Sequence, residues 1–275
     1  MLTSLQNPLV KQMRKLRSRK ERQEQQRFLL EGTHALEVFC EFDSPLAVVC
    51  ATPDWIRGHA PLWEKLARRS EQVEEVSPQV CRAIATTVNP DGVVATVVRG
   101  TWPRSPQFPL NLGLVVERLQ DPGNLGTIIR TSAATEVGGL WLSDDSVDLH
   151  HPKVLRASVG EWFRLPMQVS SELGAVIAEG REVGMQIVAT TPTAKSTYWE
   201  IEWTKPTLIL LGNEAAGLSQ KLRNLADREI RIPVGGGVES LNVAIATALL
   251  LYEVQRQRLG PKFRAWNLNS PKGNS

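Results

Sequence analysis

The chain has 275 residues, a formal net charge of +3, 42% hydrophobic residues and 22% charged residues. This length predicts one large domain or two ordinary ones, and the composition is typical of a folded protein rather than a disordered one. No apolar run reaches the roughly 18 residues that a membrane helix needs. The N-terminus has no apolar core after its charges, so we expect a cytoplasmic protein without a secretory signal or a membrane partner.

The cysteine and histidine patterns argue against a metal site. The three cysteines form no CxxC pair, which predicts reduced thiols rather than a disulfide framework or a zinc site. The four histidines fit no ligand spacing. We therefore expect no metal.

Basic residues are concentrated at the start of the chain, where the first 27 residues hold eight basic side chains and two acidic ones. Such an excess of positive charge can bind phosphates by Coulomb attraction and counterion release. A solvated helix face is the alternative, and both interpretations remain open. The candidate RNA-binding residues are Lys11, Arg14, Lys15, Arg17, Arg19 and Lys20.

Residues 1–100 alternate between short strand-like and helix-like segments, which predicts a small α/β domain. Strands are expected at 27–32, 46–51 and 92–99, and helices at 33–42, 61–70 and 79–85. Thr33 stands where an N-cap is expected for the first of these helices. Residues 101–110 carry three prolines and no periodic apolar pattern, which predicts a stiff linker.

Residues 111–260 show a stronger alternation of apolar strands and helices, followed by a tail at 261–275. Strands are expected at 112–119, 140–143, 186–190, 208–211 and 229–233. Helices are expected at 125–136 and from about 242 to 258. Repeated βα units predict a mostly parallel sheet covered on both faces, with ligands in the crevice at the carboxyl ends of its strands.

Three polar, glycine-containing clusters follow predicted strands, where such a sheet would bind a ligand. In the first, residues 121–126 (DPGNLG) open a helix that carries Arg130, and free N–H groups with a planar guanidinium suit a phosphate. In the second, Glu214 lies between glycines, where its carboxylate can accept a hydrogen bond from a hydroxyl. The third has three consecutive glycines before Ser240 and Asn242.

Each cluster also has a purely structural interpretation. The first could be an ordinary strand–turn–helix junction with a capping asparagine, and in the second Glu214 and Ser219 could only cap the next helix. In the third, Ser240 or Asn242 could cap the last helix. A glycine-rich loop is a weak indicator of nucleotide binding, and the GxGxxG spacing of a dinucleotide-dependent oxidoreductase is absent from the sequence.

Taken together and in order, the clusters resemble the three signature motifs of the SpoU (TrmH-type) family of RNA 2′-O-ribose methyltransferases, in the SPOUT superfamily. The matching stretches are VVERLQDPGNLGTIIRTSAATEVGGL, LILLGNEAAGLS and IRIPVGGGVESLNVAIATALLLYE, within roughly 111–259. VDLHHPKVLRASVGEWFRLP is similar to the connecting segment of the family. Residues 1–100 are similar, mainly through RFLLEGTHALEVF, to the L30e-like RNA-binding domain often joined to it.

The resemblance implies a particular fold, methyl donor and assembly. The C-terminal α/β domain is expected to form a deep trefoil knot, a rare exception to the rule against threaded chains. The donor S-adenosylmethionine would be held largely by backbone groups at Thr190, Gly212, Ile232 and Leu241. The family works as a homodimer in contact through its last helix, with an active site that draws on both subunits.

The resemblance also implies catalytic residues and a substrate. Arg130 would contact the ribose or phosphate, Asn124 would fix Arg130, and Glu214 would polarise the site or hold Arg130. Ser240 and Asn242 would order the loop over the donor. Two departures from the family pattern, Val234 after Ile-Pro and Ala244 where serine is common, concern packing more than chemistry.

We therefore expect methylation of a ribose 2′-hydroxyl in RNA, with 23S-type ribosomal RNA favoured. A transfer-RNA substrate, transfer to a base, and a non-catalytic RNA-binding protein on the same fold are the alternatives.

Overall fold

The computed structural model describes residues 1–100 and 102–260, which divide into two compact units. The first unit contains 1–104, 121–130 and 147–165, and the second contains 105–120, 131–146 and the chain from Pro166 onward. Each unit combines separate stretches of the chain. The units therefore do not test the predicted domain limits at 1–100, 101–110 and 111–260, which remain predictions. Thr101 of the predicted linker and the predicted tail at 261–275 lie outside the described residues.

Helices and strands alternate along nearly the whole described chain. The α-helices are α1 (Pro8–Lys15), α2 (Arg19–Glu24), α3 (Thr33–Phe39), α4 (Pro53–Gly58), α5 (Ala60–Arg68), α6 (Pro78–Ile84), α7 (Pro122–Ala134), α8 (Pro152–Ala157), α9 (Leu173–Glu182), α10 (Gln220–Arg223) and α11 (Val243–Leu259). The strands are β1 (Arg27–Glu31), β2 (Leu46–Ala51), β3 (Ser70–Glu75), β4 (Val93–Val98), β5 (Leu112–Val116), β6 (Gly139–Ser143), β7 (Met167–Ser170), β8 (Gln186–Thr190), β9 (Ser196–Thr197), β10 (Thr207–Leu211) and β11 (Arg228–Arg231).

The first unit is built around a four-stranded sheet with the order β1-β4-β2-β3. β4 runs antiparallel to both β1 and β2, whereas β3 runs parallel to β2. β2 is buried along its whole length because it lies inside the sheet, and α1 and α6 cover it with apolar side chains. This mixed sheet with its helices confirms the small α/β domain expected near the N-terminus.

The second unit is built around a seven-stranded sheet with the order β7-β6-β5-β10-β8-β11-β9. Every ladder in this sheet is parallel. β5, β6 and β10 are buried throughout, because they lie in the interior of the sheet and carry apolar side chains toward both of its faces. The parallel α/β sheet predicted from the sequence is confirmed.

Several predicted boundaries were wrong for identifiable local reasons. Gly32, in a left-handed conformation with φ of 93°, is the N-cap of α3, and the Thr33 hydroxyl instead accepts a hydrogen bond from the Trp55 indole at 2.9 Å. α7 begins at Pro122 rather than at 125, and β5 ends at Val116 rather than at 119. The sequence therefore predicted the elements better than their ends.

The proline-containing segment predicted as a linker packs against both units at its two ends. In the first unit, Trp102 lies edge-on to Phe42 and Phe163. In the second unit, Phe108 stacks on Trp141 at a centroid distance of 5.0 Å. The boundary between the two units falls between Arg104 and Ser105, and so between Trp102 and Phe108. In the described part of the chain, no helix is long and apolar enough to cross a bilayer.

Candidate active site

Polar loops follow five neighbouring strands of the parallel sheet. In spatial order these strands are β6, β5, β10, β8 and β11. The carboxyl ends of parallel strands lie at one edge, so the loops at 144–146, 117–120, 212–219, 191–195 and 232–242 are presented together there. This edge of the second unit, called here the carboxyl edge, is the candidate ligand site.

The loop after β5 is fastened to the end of β6 and to the loop that follows it by two serine hydroxyls. The Arg118 N–H donates to Ser143 Oγ at 2.7 Å, and the Leu119 N–H donates to Ser146 Oγ at 3.1 Å. The two hydroxyl oxygens lie 2.9 Å apart, and both serines are buried. The loop 117–120 is therefore held in a fixed position at the carboxyl edge.

A tight turn after β10 reaches the same loop. The N–H and C=O groups of Asn213 and Gly217 bond to each other at 3.1 and 2.9 Å. The Asn213 side chain accepts from two backbone N–H groups within the turn and donates to the Arg118 carbonyl at 2.7 Å. Asn213 was not among the predicted site residues, although its position between Gly212 and Glu214 in the second motif was a usable signal.

Two carboxylates connect the loop after β5 with the turn after β10. Glu214 Oε2 accepts from the Gln120 N–H at 3.3 Å, and Glu117 Oε2 accepts from the Ser219 N–H at 2.7 Å. The Ser219 hydroxyl accepts from Leu222 and so caps α10. Ser219 thus caps a helix, as the structural interpretation of this motif predicted. Glu214 does not cap the helix; it is exposed and bonds to the neighbouring loop.

Gly212 lies where two backbone segments of this turn approach each other closely. A Cβ atom at this position would lie 2.5 Å from the Gly217 carbonyl oxygen and closer still to Leu218 N. The backbone of the turn thus occupies the space that a side chain would need. A larger residue at 212 would disrupt the turn itself, and with it the positions of Asn213 and Glu214.

A cavity of about 280 Å³ lies beside the loop after β11. Two of the predicted donor-binding residues, Ile232 and Leu241, line it. Thr190 and Gly212 lie at the ends of β8 and β10, and Thr190 pairs with Ile230 of β11, so all four belong to the carboxyl edge. The remaining lining residues, which the sequence did not predict as donor-binding residues, are Tyr198, Trp199, Pro233, Val234, Gly235, Val238 and Leu249.

Asn242 rather than Ser240 caps the last helix. Its side-chain oxygen accepts from the N–H groups of Ala244 and Ile245 at 2.9 and 3.3 Å. Ser240 lies exposed two residues earlier in the loop. The cap fixes where α11 begins, and so where the loop at 232–242 ends.

The first predicted cluster lies in the first unit, where Asp121 rather than Asn124 caps α7. Asp121 Oδ1 accepts from the N–H groups of Gly123 and Asn124 at 2.6 and 2.9 Å. The Asn124 N–H is the largest cause that lowers the pKa of Asp121, and Lys153, 3.6 Å from Asp121 Oδ2, lowers it further. The helix start is thus held by the Asp121 carboxylate.

Arg130 is exposed two turns into α7. No described residue forms a hydrogen bond or an ion pair with its guanidinium, which therefore keeps its donors for a ligand. Asn124 and Arg130 belong to the first unit, and Glu214, Ser240 and Asn242 belong to the second. Their roles in a reaction remain predictions.

The two halves of the chain each match a known family. A profile described as the SpoU rRNA Methylase family matches residues 111–252, and one described as an MRM3-like substrate binding domain matches residues 7–95. An uncharacterized tRNA/rRNA methyltransferase of Synechocystis is 46% identical over 94% of each chain. The chain belongs to the SpoU rRNA methylase family.

Other members of the SpoU family are similar over nearly the full length. A 23S rRNA (guanosine(2553)-2′-O)-methyltransferase of Bacillus subtilis is 29% identical over 92% of this chain and 98% of its own. The AdoMet-bound rRNA methyltransferase of Sinorhizobium meliloti has a TM-score of 0.83 at 32% identity, covering 93% of this chain and 97% of its own. The SpoU methyltransferase AviRb of Streptomyces viridochromogenes, in complex with AdoMet, has a TM-score of 0.83 at 30% identity, covering 93% and 99%.

The six basic residues predicted to bind RNA are all exposed on or beside α1 and α2. Some of them also bond within the protein: Lys15 and Lys20 lie 3.6 Å from Glu21 and Glu24, and Arg17 donates to the backbone carbonyl of Ala83 at 2.8 Å and to that of Ala85. Lys11 and Arg14 are therefore better placed than Arg17 to contact a phosphate. Among the described residues, no group of three or more His, Cys, Asp or Glu side chains could hold a metal ion.

Proposed function

We propose that this SpoU protein transfers the methyl group of S-adenosylmethionine to a ribose 2′-hydroxyl of RNA, with 23S-type ribosomal RNA as the favoured substrate. The observation that carries the proposal is the cavity at the carboxyl edge, beside the glycine-rich loop of the third SpoU motif. Relatives of nearly the same length are named as ribosomal RNA 2′-O-methyltransferases or solved with AdoMet, which supports the substrate and the donor.

The residues around this cavity fit the donor. Aromatic and aliphatic side chains such as Trp199 and Leu241 suit its adenine ring and thioether chain, and the exposed glycines at 235–237 leave backbone N–H and C=O groups accessible. Ile232 and Leu241 would hold the donor from the loop after β11, and Thr190 and Gly212 from the ends of β8 and β10. When bound, S-adenosylmethionine supplies an electrophilic methyl group on a sulfonium.

Arg130 has the best chemistry for orienting the ribose. Its guanidinium can donate two parallel hydrogen bonds to a phosphate or direct one to the hydroxyl. We assign it no role as a base, because a guanidinium carries only hydrogen-bond donors and no acceptor. We propose that Arg130 holds the hydroxyl in line for attack while a phosphate or water takes the proton, and that Asn124 orients Arg130.

Glu214, Ser240 and Asn242 act around the donor. The exposed carboxylate of Glu214 places negative charge at the carboxyl edge, where it would stabilise a nearby sulfonium. Asn242 fixes the start of α11, and Ser240 lies in the loop that this cap terminates. Together they would keep the loop at 232–242 ordered over the donor.

The finer features of the fold are part of the same proposal. The trefoil knot is proposed from the match to the SpoU family, and the strand order, in which β11 pairs with β8 on the side opposite to β10, is compatible with it. Ile245, Leu249 and Tyr252 form an exposed apolar face on α11, which supports a homodimer through this helix. We also propose that the first domain is L30e-like and that the protein is located in the cytoplasm.

The proposal is tested by analysing the nucleosides of ribosomal and transfer RNA from a strain that lacks the gene. One 2′-O-methylated nucleoside should disappear from ribosomal RNA and return when the wild-type gene is supplied. It should not return with the Arg130→Ala variant expressed at an equal level. Loss of a base-methylated nucleoside would overturn the chemistry, and loss from transfer RNA would overturn the favoured substrate.

A further inference from the structure

Arg118 combines a strained backbone with a guanidinium at the carboxyl edge. Its φ of 53° lies in the left-handed region that residues with a Cβ rarely adopt. Such strain persists only where the surroundings impose it, and it is concentrated at ligand sites. Arg118 was not predicted as a site residue, because no sequence pattern marks its conformation.

Three hydrogen bonds impose this conformation. The Arg118 N–H donates to Ser143 Oγ, and the Arg118 carbonyl accepts from Asn213 Nδ2 at 2.7 Å and from Gln120 Nε2 at 3.1 Å. All three use only the backbone of residue 118. A glycine could make the same bonds with less strain, so the side chain is not needed to hold the loop.

The guanidinium of Arg118 is only partly satisfied. Its Nε atom is buried and has no hydrogen-bond partner among the described residues. An Nη atom lies 4.0 Å from Glu117 Oε2, which already accepts from the Ser219 N–H, and 40% of the side chain is exposed. Because Nε is closed to solvent, the Nη groups at the exposed end of the side chain are the donors that an anion with several oxygens can reach.

The position of Arg118 in the sheet distinguishes between two anions. The cavity is lined by residues that follow β9 and β11, whereas Arg118 follows β5. β5 is separated from β11 by β10 and β8, which corresponds to ~14 Å at the usual spacing between strands. Arg118 does not line the cavity, which favours a phosphate of the RNA, and the affinity for the methyl donor separates this contact from one to the donor's carboxylate.

We infer that Arg118 is a substrate-binding residue that contacts a backbone phosphate of the RNA at the carboxyl edge. The inference rests on the proposed function, since it assigns one contact of the same site. Arg118 adds a planar, charged donor at a point where the loop 117–120 is already fixed.

Arg118→Gly separates the role of the side chain from that of the backbone. Glu136→Gly is the matched control, because Glu136 is also left-handed, with φ of 57°, and is exposed in the turn after α7. Both variants should melt at an equal or higher Tm than the wild type, since glycine relieves the strain. Only Arg118→Gly should weaken the binding of purified 23S ribosomal RNA, and it should lower the slope of log K against log salt by about 0.7–0.9.

Methyl transfer and donor affinity complete the test. With 23S ribosomal RNA below saturation, Arg118→Gly should lower the transfer rate about tenfold, which is the effect expected for one charged hydrogen bond. Its affinity for S-adenosylmethionine by calorimetry should match that of the wild type. Arg118→Lys should recover most of the salt slope, since it keeps the charge, but less of the rate, since it loses the planar fork.

The outcomes separate this inference from the proposed function. An unchanged salt slope in Arg118→Gly overturns the phosphate contact, whether or not the wild type transfers methyl groups. A weakened affinity for S-adenosylmethionine instead assigns Arg118 to the donor and also overturns the inference. If the wild type transfers no methyl group but the slope still falls in Arg118→Gly, the phosphate contact stands and the proposed activity fails.

Discussion

Arg22 and Asp148 form a buried ion pair, with Arg22 Nη2 2.8 Å and Nε 2.9 Å from Asp148 Oδ2. Only 1% of the Arg22 side chain and 8% of the Asp148 side chain are exposed. Arg22 also donates to the carbonyls of Leu16 and Arg17 at 2.9 Å each. Arg22 lies in the stretch matched by the substrate-binding profile, and Asp148 in the SpoU match, so the pair ties these two stretches together within the first unit.

Removing one partner of this pair should destabilise the protein strongly. We expect Arg22→Met to lower the free energy of unfolding by about 3–5 kcal/mol, because it leaves the Asp148 carboxylate buried without its partner. Lys20→Met is the control, since Lys20 is exposed and its pair with Glu24 contributes at most about 1 kcal/mol. Unfolding in urea measures both variants, and equal losses would contradict a structural role for the buried pair.

The same ion pair predicts how the free energy of unfolding depends on pH. Burial alone would raise the pKa of Asp148, but hydrogen bonds and charge from His150, together with the charge of Arg22, outweigh it and hold the pKa well below its ordinary value. A carboxyl with a lowered folded-state pKa stabilises the protein above its unfolded pKa of about 4, and this stabilisation is lost as the pH falls below that value. Asp148→Asn should be less stable than the wild type at pH 7, and the difference should shrink toward pH ~2.

The quantity to compare at each pH is the difference in the free energy of unfolding between the wild type and Asp148→Asn. Other carboxylates with lowered pKa, such as Glu229 and Glu253, titrate alike in both and cancel when the curves are subtracted. Unfolding by guanidinium chloride at a series of pH values gives the difference curve. A difference that stays constant from pH 7 into the acid range would show that Asp148 is not stabilised in its charged form.

Packing between α7 and α8 predicts opposite effects for two glycine substitutions. A Cβ at Gly126 would lie 2.9 Å from the Val154 carbonyl oxygen and closer still to the Ala157 Cβ. We expect Gly126→Ala to lower the free energy of unfolding by about 1–3 kcal/mol through overpacking. Gly174→Ala in α9, where the nearest atom is 3.6 Å away, should instead raise it by about 0.5–1 kcal/mol.

Thermal unfolding of the two glycine variants checks this packing. The same methyl group is added to a helix in both cases, and helix propensity favours alanine at both positions, so a loss of stability in Gly126→Ala reports the contact with its neighbours. A stabilised Gly126→Ala variant would mean that α7 and α8 do not approach as closely as the structure shows.

The sequence predicted interior strands well and edges poorly. β2 and β8 have the predicted bounds, Leu46–Ala51 and Gln186–Thr190, because apolar runs in the interior of a sheet are distinctive. β3, with the sequence SEQVEE, was missed, because an exposed edge strand carries mostly polar side chains and no apolar period. The cap of α3 was wrong because the Thr33 hydroxyl bonds to Trp55, a contact that local sequence does not reveal.

The residues of the candidate site could also be predicted only in part from the sequence. Glycine-containing motifs indicated which loops meet at the carboxyl edge, since parallel strands bring their ends together. The cavity residues Tyr198 and Leu249 were not predicted, because Tyr198 comes from a segment outside the three motifs and Leu249 lies on α11, beyond the glycines of the third motif. The conformation of Arg118 depends on side-chain bonds from Gln120 in its own loop, from Ser143 at the end of β6 and from Asn213 in the turn after β10, and the last two exist only in the folded chain.

Arg130 should separate the binding of the donor from the transfer of its methyl group. We expect Arg130→Ala to lose methyl transfer while keeping the wild-type affinity for S-adenosylmethionine, because the guanidinium is assigned to the ribose or phosphate. Arg130→Lys should remain strongly impaired, since it keeps the charge but loses the planar fork. Calorimetry with S-adenosylmethionine tests this assignment, and a large loss of donor affinity in Arg130→Ala would place Arg130 in the donor site instead.

The most direct test of the proposed activity is transfer of a labelled methyl group from S-adenosylmethionine to total RNA from a strain that lacks the gene, followed by alkaline hydrolysis. A 2′-O-methyl group blocks cleavage at its own phosphodiester, so the label should appear in an alkali-resistant dinucleotide from ribosomal RNA. The Arg130→Ala variant should leave the same RNA unlabelled. Label recovered in ordinary mononucleotides would contradict ribose methylation, because it would place the methyl group on a base.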